Sequence, residues 1–376
     1  TDAPPGDDRS MESAALDCLR LAIATGFTGA GGKVMPLMEP GTAASEWLRM
    51  DDDELEQRGV SQGQRRKLCR TPVEEARSLL DLTHREGLRL LHRGGPDWPP
   101  SLSGIPDPPW VMWAQGDTNL LGEKGLTVVG ARHVSSYGRN ATKAFVEALT
   151  LSGLSVWSGL ARGVDGEAHR AALDSGGRTV AVLGSGLRRI YPKEHRGMAA
   201  RIVEQGGLLL AEVPPQFEAR AWHFPSRNRL LAALSEGVLV IEAGLKSGTI
   251  ITALHATAYG KPVWALPGTY QAESSRGCHA LIRDGAFLAD SPQGLLTDLG
   301  LESILEDPLQ SLDSAEEAGL LHRLRQSPMP LDAIVTELDK PLPDCLLLLS
   351  RLEARGWLRL GPGGLYEFVP GGHTAR

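Results

Sequence analysis

The sequence is poor in cysteine. Its 376 residues include only four, at positions 18, 69, 278 and 345, and no two of them form a CxxC pair. Cysteines this few and this far apart are typical neither of a zinc site nor of a disulfide framework, and they fit a reducing compartment. We therefore expect no metal, and nothing in the composition indicates another cofactor.

Long apolar runs are absent as well. No stretch approaches the roughly 18–20 consecutive apolar residues that a membrane-spanning helix needs. The first ten residues, TDAPPGDDRS, are polar and acidic, which is not typical of a signal peptide. We therefore expect a cytoplasmic protein with no membrane partner. Hydrophobic residues make up 41% of the chain, enough for the cores of two or three domains.

The sequence also lacks the motifs of common nucleotide-dependent enzymes. It contains no GxxxxGK[ST] loop, which argues against ATP hydrolysis. The loop VVGARHVSSYG (residues 128–138) is not GxGxxG, and no acidic residue follows it where NAD enzymes bind a ribose. Neither paired carboxylates nor a cluster of metal ligands stands out, so the sequence predicts a binding protein rather than a catalyst.

Charge, by contrast, is concentrated. Residues 124–290 contain 19 Lys and Arg against 13 Asp and Glu, a net charge of +6, whereas residues 1–123 carry −7 and residues 291–376 carry −6. A basic centre between acidic flanks is compatible with a polyanionic partner and also with an ordinary solvated surface. Charge alone does not decide between the two.

The flanking segments differ from the centre. Residues 1–93 show helical spacing of apolar residues and predict a helical domain, in which residues 55–68 fit a plain bundle better than a DNA-gripping helix–turn–helix. Residues 94–123 are rich in proline and tryptophan and predict an extended strap packed on the next domain. Residues 310–370 predict three helices and a hairpin, the pattern of a winged-helix domain.

The centre, residues 124–298, alternates apolar runs with helical segments. The runs that predict strands are 126–130, 154–159, 179–184, 208–212, 237–243 and 262–268. This alternation predicts an α/β fold with a doubly wound, mostly parallel, Rossmann-like sheet. Such sheets bind ligands beyond the carboxyl ends of their strands, where the strand order reverses.

Glycine, hydroxyl and basic residues follow several of these strands. The candidates for contact with single-stranded DNA in these loops are Gly130, Arg132, Ser135, Ser158, Gly159, Arg162, Gly184, Ser185, Gly186, Lys246, Ser247, Gly248 and Thr249. Backbone N–H groups at a helix start bind anions, and arginine contacts phosphate through two donors. Each loop alone is also compatible with an ordinary strand–helix turn, but together they suit an extended phosphate chain. In the same region, Asp165 is expected to cap a helix and His169 to be a buried, hydrogen-bonded residue.

The segment WHFPSRNRLL, from residue 222, combines an aromatic ring with basic residues. Its candidates for DNA contact are Phe224, Arg227, Asn228 and Arg229. Arginine near a helix start opposes the helix dipole unless an anion is present. Stacking of a base on a ring is worth roughly 1–3 kcal/mol in single-strand binding. The alternative is that Phe224 packs in the core.

Taken in order, these loops resemble the DNA-processing protein A family (DprA, also called Smf). The resemblance extends through residues 105–290 and rests on VVGARHVSSYG, SGLARGVDGEAH, AVLGSGLRRIYP, FPSRNRLLAALSEGVLVIEAGLKSGT and GKPVWALPG. It implies that Gly130 and Arg132 contact phosphate and that the Phe224–Arg229 and Ser247–Thr249 segments line the DNA groove. Where the family usually has a small hydroxyl residue and Asn, this chain has Cys278 and His279, so the resemblance does not extend a DNA-contact role to that loop.

The resemblance also implies a function. Proteins of this family bind and protect single-stranded DNA during natural transformation and load the RecA recombinase onto it, without established catalysis. The expected partners are single-stranded DNA, RecA, a second copy of the chain and single-strand-binding protein. The flanks resemble the sterile-alpha-motif-like (SAM-like) and winged-helix domains of some members. Because the last segment is acidic, we expect it to contact protein or its own chain rather than a DNA major groove.

Two other functions are compatible with the same fold. The lysine-decarboxylase-like (LOG) nucleotide phosphoribohydrolases carry PGGxGTxxE, and the corresponding stretch here is AGLKSGTIIT, in which Thr252 replaces the catalytic Glu. Without that carboxylate the hydrolysis lacks its acid–base group. A scaffold that binds RecA and only incidentally DNA is the other possibility, and the +6 centre argues against it.

Overall fold

The computed structural model of the protein describes residues 8–27, 41–301, 315–361 and 363–369. The chain forms two compact units, Thr1–Gly300 and Leu301–Arg376, each with its own apolar core. Among the helices in the described ranges, none combines the length and the apolar character that a membrane span requires.

Helices open the first unit. They are α1 (Asp8–Thr25), α2 (Ala44–Trp47), α3 (Asp52–Gln57), α4 (Gln62–Arg70) and α5 (Val73–Arg85). Capping boxes start α3 and α4, with Asp51 and Ser61 as the capping residues. The segment considered for DNA contact, residues 55–68, directs Arg65 inward, where its guanidinium pairs with Asp52 (3.0 Å) and Glu56 (3.3 Å). That arginine serves the packing of the helices.

A nine-stranded sheet forms the centre of the first unit. Its strands are β1 (Arg89–His92), β2 (Val111–Gly116), β3 (Gly125–Val129), β4 (Ser155–Ser158), β5 (Thr179–Leu183), β6 (Leu208–Ala211), β7 (Val238–Val240), β8 (Val263–Ala265) and β9 (Phe287–Leu288). They lie in the order β1-β2-β6-β5-β4-β3-β7-β8-β9, and β3 to β9 pair in parallel. The predicted α/β class and the six central strands are confirmed.

Helices cover both faces of this sheet. They are α6 (Pro100–Ser103), α7 (Ser136–Leu151), α8 (Val164–Asp174), α9 (Arg196–Glu204), α10 (His223–Leu234), α11 (Gly248–Ala258), α12 (Arg276–Arg283) and α13 (Pro292–Asp298). Alternate residues of one strand therefore enter different cores: Ala181 and Leu183 of β5 lie in one, Val180 and Val182 in the other. Burial on both faces explains why the central strands are apolar throughout.

The proline-rich segment contributes a strand as well as a covering. Its strand β2 pairs antiparallel with β6, with Trp113 opposite Ala211, and β1 pairs antiparallel with β2. The Arg93 guanidinium lies 3.7 Å from the ring centroid of buried Trp110. Residues 94–123 therefore extend the sheet, which the prediction of a strap did not include.

The strand order reverses between β3 and β7. From β3 the sheet continues through β4, β5 and β6 on one side, and through β7, β8 and β9 on the other. The loops that follow β3 and β7 consequently leave a crevice between them at the carboxyl edge of the sheet, which is where doubly wound folds bind ligands.

In its described residues, the second unit contains three helices and a small sheet. These are α14 (Ala315–Gln326), α15 (Leu331–Leu338), α16 (Leu342–Ala354), β10 (Met329–Pro330), β11 (Leu358–Leu360) and β12 (Leu365–Phe368), with the strands in the order β10-β12-β11. The predicted helices and hairpin are present. Residues 310–314, 362 and 370 of the predicted domain lie outside the described residues, and the winged-helix assignment stays a prediction.

Candidate nucleic-acid interface

A pocket of about 360 Å³ opens at the switch point between β3 and β7. It is formed by the end of β3, by the loop that follows it and by the first turns of α8, α10 and α11. The predicted DNA-contact residues that line it are Gly130, Arg132, Phe224, Arg227, Asn228, Ser247, Gly248 and Thr249. The structure therefore brings together residues from three separate segments of the chain.

The loop after β3 carries Gly130 and Arg132. A Cβ on Gly130 would lie 2.5 Å from Cγ2 of Val164, so only glycine permits this close approach of the loop to α8. The Thr249 hydroxyl donates to the Gly130 carbonyl (3.0 Å) and ties the loop to α11. Arg132 is exposed, and its Cζ lies 5.5 Å from the ring centroid of Phe224. A cation and a ring thus share the pocket mouth.

The start of α7 is filled by the protein itself. Ser135 caps the helix by accepting from the Gly138 N–H (3.0 Å), and it directs its own N–H (2.9 Å) and hydroxyl (2.5 Å) to the carboxylate of buried Glu242. The anion that this helix start attracts is therefore Glu242, on the strand β7 side of the crevice. Ser135 positions the loop, and its donors do not face a ligand.

The loop after β4 is held in an unusual backbone conformation. Leu160 has a φ of 56° and Gly163 a φ of 77°, values that lie in the left-handed region. A Cβ on Gly163 would clash with the Ala131 carbonyl oxygen. Gly163, not Asp165, is the N-cap residue of α8. Asp165 instead lies in the first turn and accepts from the Gly159 N–H (3.1 Å), which corrects the predicted cap.

Asp165 and Arg227 are buried charges beneath the pocket. Burial raises the pKa of Asp165, and Arg227 opposes this effect. Burial lowers the pKa of Arg227 to about 10, with Asp165 opposing. The Arg227 guanidinium also donates to the Val182 carbonyl. Arg227 lies near the start of α10, and Asp165 is the anion that compensates its unfavourable position.

Phe224 lies partly exposed at the edge of the pocket. A Cβ on Gly184 would lie 3.0 Å from Cδ1 of Phe224, so the missing side chain makes room for the ring. The ring of Tyr191 lies on another side, with 5.6 Å between centroids and an angle of 55° between planes. Asn228 donates from Nδ2 to the Gly248 carbonyl (3.2 Å), which links α10 to the start of α11.

Arg229 does not belong to this site. It is 2% exposed and pairs with Asp107 (2.9 Å) and Glu212 (2.6 Å). Side chains two residues apart on a helix point about 200° apart around the helix axis, so Arg227 and Arg229 cannot face the same side of α10. Burial raises the pKa of Glu212, and Arg229 opposes that shift. This correction removes Arg229 from the predicted DNA groove.

The remaining candidates divide into packed and exposed residues. Ser158 donates to the Val128 carbonyl (2.7 Å), and Ser185 and Gly186 are buried. Lys246 and Arg162 are exposed. Arg188, in the loop after β5, pairs with Glu86 (2.8 Å) and so ties that loop to the end of α5 rather than offering donors to a ligand.

The expectation that His169 is buried and hydrogen-bonded is met. His169 is fully buried and its Nδ1 lies 2.7 Å from the Thr179 hydroxyl. Cys278 is buried and its thiol donates to the Val240 carbonyl (3.8 Å), while Nε2 of His279 lies 3.1 Å from the Gly268 carbonyl. The Cys278–His279 segment is occupied by contacts within the fold.

Groups that catalysis would use are few at the site. Across the described ranges, no cluster of His, Cys, Asp or Glu is arranged to hold a metal ion. Thr252, which replaces the glutamate of the phosphoribohydrolases, is buried and lines the pocket. The carboxyl group that does line it, Asp165, is hydrogen-bonded to the backbone.

Comparison with known proteins is consistent across sequence and structure. The sequence profile described as DNA recombination-mediator protein A matches residues 89–300. The chain is 35% identical over 331 residues to Protein Smf of Escherichia coli K12, covering 86% of this chain and 88% of the relative.

Two solved structures are also similar. The X-ray structure of DNA processing protein A from Streptococcus pneumoniae gives a TM-score of 0.61 at 28% identity and covers 78% of this chain and 96% of its own. A structure of DNA processing protein A from Helicobacter pylori, described for its single-stranded DNA binding mode, gives 0.51 at 30% identity and covers 56% and 95%. The profile match includes every loop that lines the pocket.

Proposed function

The chain belongs to the DNA recombination-mediator protein A family, and from this premise we propose that it binds single-stranded DNA in the pocket between β3 and β7. Arg132 holds a phosphate, Phe224 stacks a base, and the start of α11 receives a further phosphate. The protein acts without catalysis, in the cytoplasm, as a mediator that passes the strand to the RecA recombinase. The related protein from Helicobacter pylori is described as binding single-stranded DNA.

One observation carries this proposal: an exposed cation lies over a partly exposed ring at the mouth of the pocket. The 5.5 Å between Cζ of Arg132 and the Phe224 centroid supports recognition of a phosphate and a base of one nucleotide by these two side chains. Single-strand binding combines these two contacts, and neither depends on the base sequence.

The start of α11 supports a second phosphate position. Ser247 caps this helix by accepting from the Thr249 N–H (3.2 Å). A Cβ on Gly248 would meet no atom within 4 Å, so the backbone there is open to a ligand. Unlike α7, whose start is filled by Glu242, α11 presents its positive end to the pocket.

The pocket does not favour the phosphoribohydrolase. Its buried carboxyl group, Asp165, accepts from the Gly159 N–H and stabilises the charge of Arg227. Thr252 occupies the position of the hydrolase glutamate and cannot act as its acid or base. These residues support a site that binds a nucleotide chain and leaves it intact.

Fluorescence anisotropy tests the proposal. A labelled oligo-dT of roughly 20–35 nucleotides and a matching duplex are titrated with the full chain at two salt concentrations. We expect tight, salt-sensitive binding that prefers the single strand. Equal binding to duplex, or no binding, contradicts it, and nucleotide hydrolysis would then be measured instead.

The partners follow from the same proposal. We propose a homodimer that contacts RecA and meets DNA already covered by single-strand-binding protein. Light scattering measures the mass in solution. RecA-dependent ATP hydrolysis on covered single strands should start sooner when this protein is added, and an unchanged lag contradicts the loading step.

A further inference from the structure

We propose that Tyr191 and Arg162 form a second nucleotide subsite beside the pocket, and that Glu194 occupies its phosphate position in the free protein. The subsite takes the nucleotide that follows the one bound at Phe224 and Arg132. This inference deepens the proposed function and rests on it. Tyr191 and Glu194 were not among the residues that the sequence indicated for DNA contact.

Tyr191 is an exposed aromatic residue beside Phe224. This side chain is 41% exposed, although large aromatic side chains are usually well buried. Its ring centroid lies 5.6 Å from that of Phe224. That spacing exceeds the 3.4 Å per nucleotide along one strand of a duplex. Two neighbouring bases of a stretched single strand can therefore stack on one ring each.

The cation beside the Tyr191 ring is Arg162. Arg162 is about half exposed and pairs through Nε with Glu194 at 2.5 Å. Glu194 raises the pKa of Arg162, and Tyr191 adds a smaller effect in the same direction, so the guanidinium lies against both. Arg162 is hydrogen-bonded to the Tyr191 side chain, so an aromatic residue and an arginine again lie side by side, although Arg132 lies over the Phe224 ring itself.

The carboxylate of Glu194 is paired with Arg162 at the surface. Both members of the Arg162–Glu194 pair are about half exposed, and solvent screens such a pair so that it adds little to stability. A phosphate can thus replace the carboxylate at small cost. Glu194 is the one acidic residue of the segment 188–196, where Arg189, Lys193 and Arg196 are exposed.

The loop after β4, which carries Arg162, and the loop after β5, which carries Tyr191, are fixed to each other. Nδ1 of His195 lies 2.9 Å from the Leu160 carbonyl, and a Cβ on Gly166 would lie 2.8 Å from Cε1 of His195. Leu160 is the residue with a left-handed backbone. The ring and the cation are consequently held in place before a ligand arrives, which lowers the entropy cost of binding.

The test is a series of labelled oligo-dT probes from about 4 to about 20 nucleotides, titrated by anisotropy with the full chain. Tyr191→Ala should weaken binding of every probe roughly tenfold, because even the shortest spans the two neighbouring nucleotides. Tyr191→Phe should bind like the natural protein. Tyr270→Ala, at a ring that is 79% exposed outside the site, is the matched control.

Glu194→Gln gives the opposite effect. With Arg162 released, binding of the longer probes should tighten about threefold at low salt, and the salt dependence should steepen by about one phosphate contact. Glu273→Gln, which breaks the comparable Arg276–Glu273 pair (2.9 Å), is the control and should change neither. A purely structural role of Glu194 would not produce tighter binding.

The outcomes separate the two proposals. If the natural protein binds and Phe224→Ala weakens binding at every length, while Tyr191→Ala changes none, the subsite is wrong and the main site stands. If Glu194→Gln binds no more tightly, Glu194 does not occupy a phosphate position. If the natural protein binds no probe, the proposed function itself fails. Thermal melting of each variant shows that it is folded.

Discussion

At the scale of single residues, the environment of an arginine decides what it can do. Arg132 is exposed and lies over a ring, Arg227 is buried above Asp165, and Arg229 is buried between two carboxylates. All three have the same side chain, so only their surroundings differ. Only Arg132 has donors directed to solvent at the pocket mouth, so only it is expected to add a counterion-releasing contact.

Replacing Arg132 tests this distinction. Arg132→Ala should weaken binding of oligo-dT and reduce the slope of log K against log salt by about 0.7, the value of one phosphate contact on a single strand. Titrations at three or more salt concentrations measure the slope. Arg77→Ala, at an exposed arginine on α5, should leave it unchanged. An unaltered slope for Arg132→Ala would remove this residue from the phosphate site.

His169 makes stability depend on pH. Burial, together with the nearby charges of His195 and Arg227, lowers the pKa of His169 to about 3, whereas the unfolded chain has a pKa near 6.5. Below pH 6.5 His169 binds a proton in the unfolded state but not in the folded state. The free energy of unfolding therefore falls as the pH falls from about 6.5 toward 3. At pH 5 this residue should cost about 2 kcal/mol relative to pH 8.

Urea unfolding of the natural protein and of His169→Gln at pH 8 and pH 5 measures this effect. The variant should be less stable at pH 8, because it disturbs a packed, hydrogen-bonded position, but its stability should fall less on acidification. Other titrating groups are common to both chains and cancel in the comparison. Equal losses in the two proteins would show that His169 is not responsible.

At the scale of secondary-structure elements, α10 serves two purposes on its two sides. Phe224, Arg227 and Asn228 line the pocket, while Arg229 binds Glu212 at the end of β6 and Asp107 from the proline-rich segment. The helix is thereby fixed to the side of the sheet that carries the antiparallel strands, while its first turns line the pocket. The position of Phe224 depends on this attachment.

Arg229→Met should separate stability from binding. Removing the guanidinium leaves Glu212 and Asp107 uncompensated, and loss of one partner of a buried pair costs about 3–5 kcal/mol. The free energy of unfolding in urea should fall by that order, and Glu212→Gln in the same chain should restore part of it. The salt slope of DNA binding should not change. A stable variant with a reduced slope would return Arg229 to the DNA groove.

At the scale of the whole molecule, the pocket and the proposed subsite lie within one unit. Residues from Gly130 to Thr252 form both, and the first compact unit extends to Gly300. The second unit has its own apolar core, and residues 291–376 are acidic, with a net charge of −6. That charge repels phosphate, so the second unit is not expected to add affinity for DNA.

A chain ending at Gly300 tests this division. It should fold, because both of its apolar cores are complete, and it should bind oligo-dT within about twofold of the full chain, with slightly tighter binding at low salt because acidic residues are lost. Anisotropy and thermal melting measure the two properties. A large loss of affinity in a folded, shortened chain would place DNA contacts in the second unit.

Local patterns in the chain were sufficient for much of this account. Apolar runs of strand length that alternate with helical segments predicted the parallel sheet, because the repeat of side-chain direction is a local property. Glycines and hydroxyls after strand ends indicated the crevice, and the order of the loops indicated the family. The strands β1, β2 and β9 were missed, because β1 and β2 are the antiparallel strands at one side of the sheet, next to the proline-rich segment, and β9 has only two residues.

What the residue order could not decide was which candidate faces the ligand. The Ser135 N–H and hydroxyl donate to Glu242, which is 107 residues away in the sequence. The Arg229 guanidinium donates to Asp107, which is 122 residues away. Tyr191 is proposed as a site residue only because the fold places its ring 5.6 Å from that of Phe224. Burial and hydrogen-bond partners depend on segments distant in the chain, so the same side chain can be a ligand-binding group or part of the core until tertiary packing assigns its neighbours.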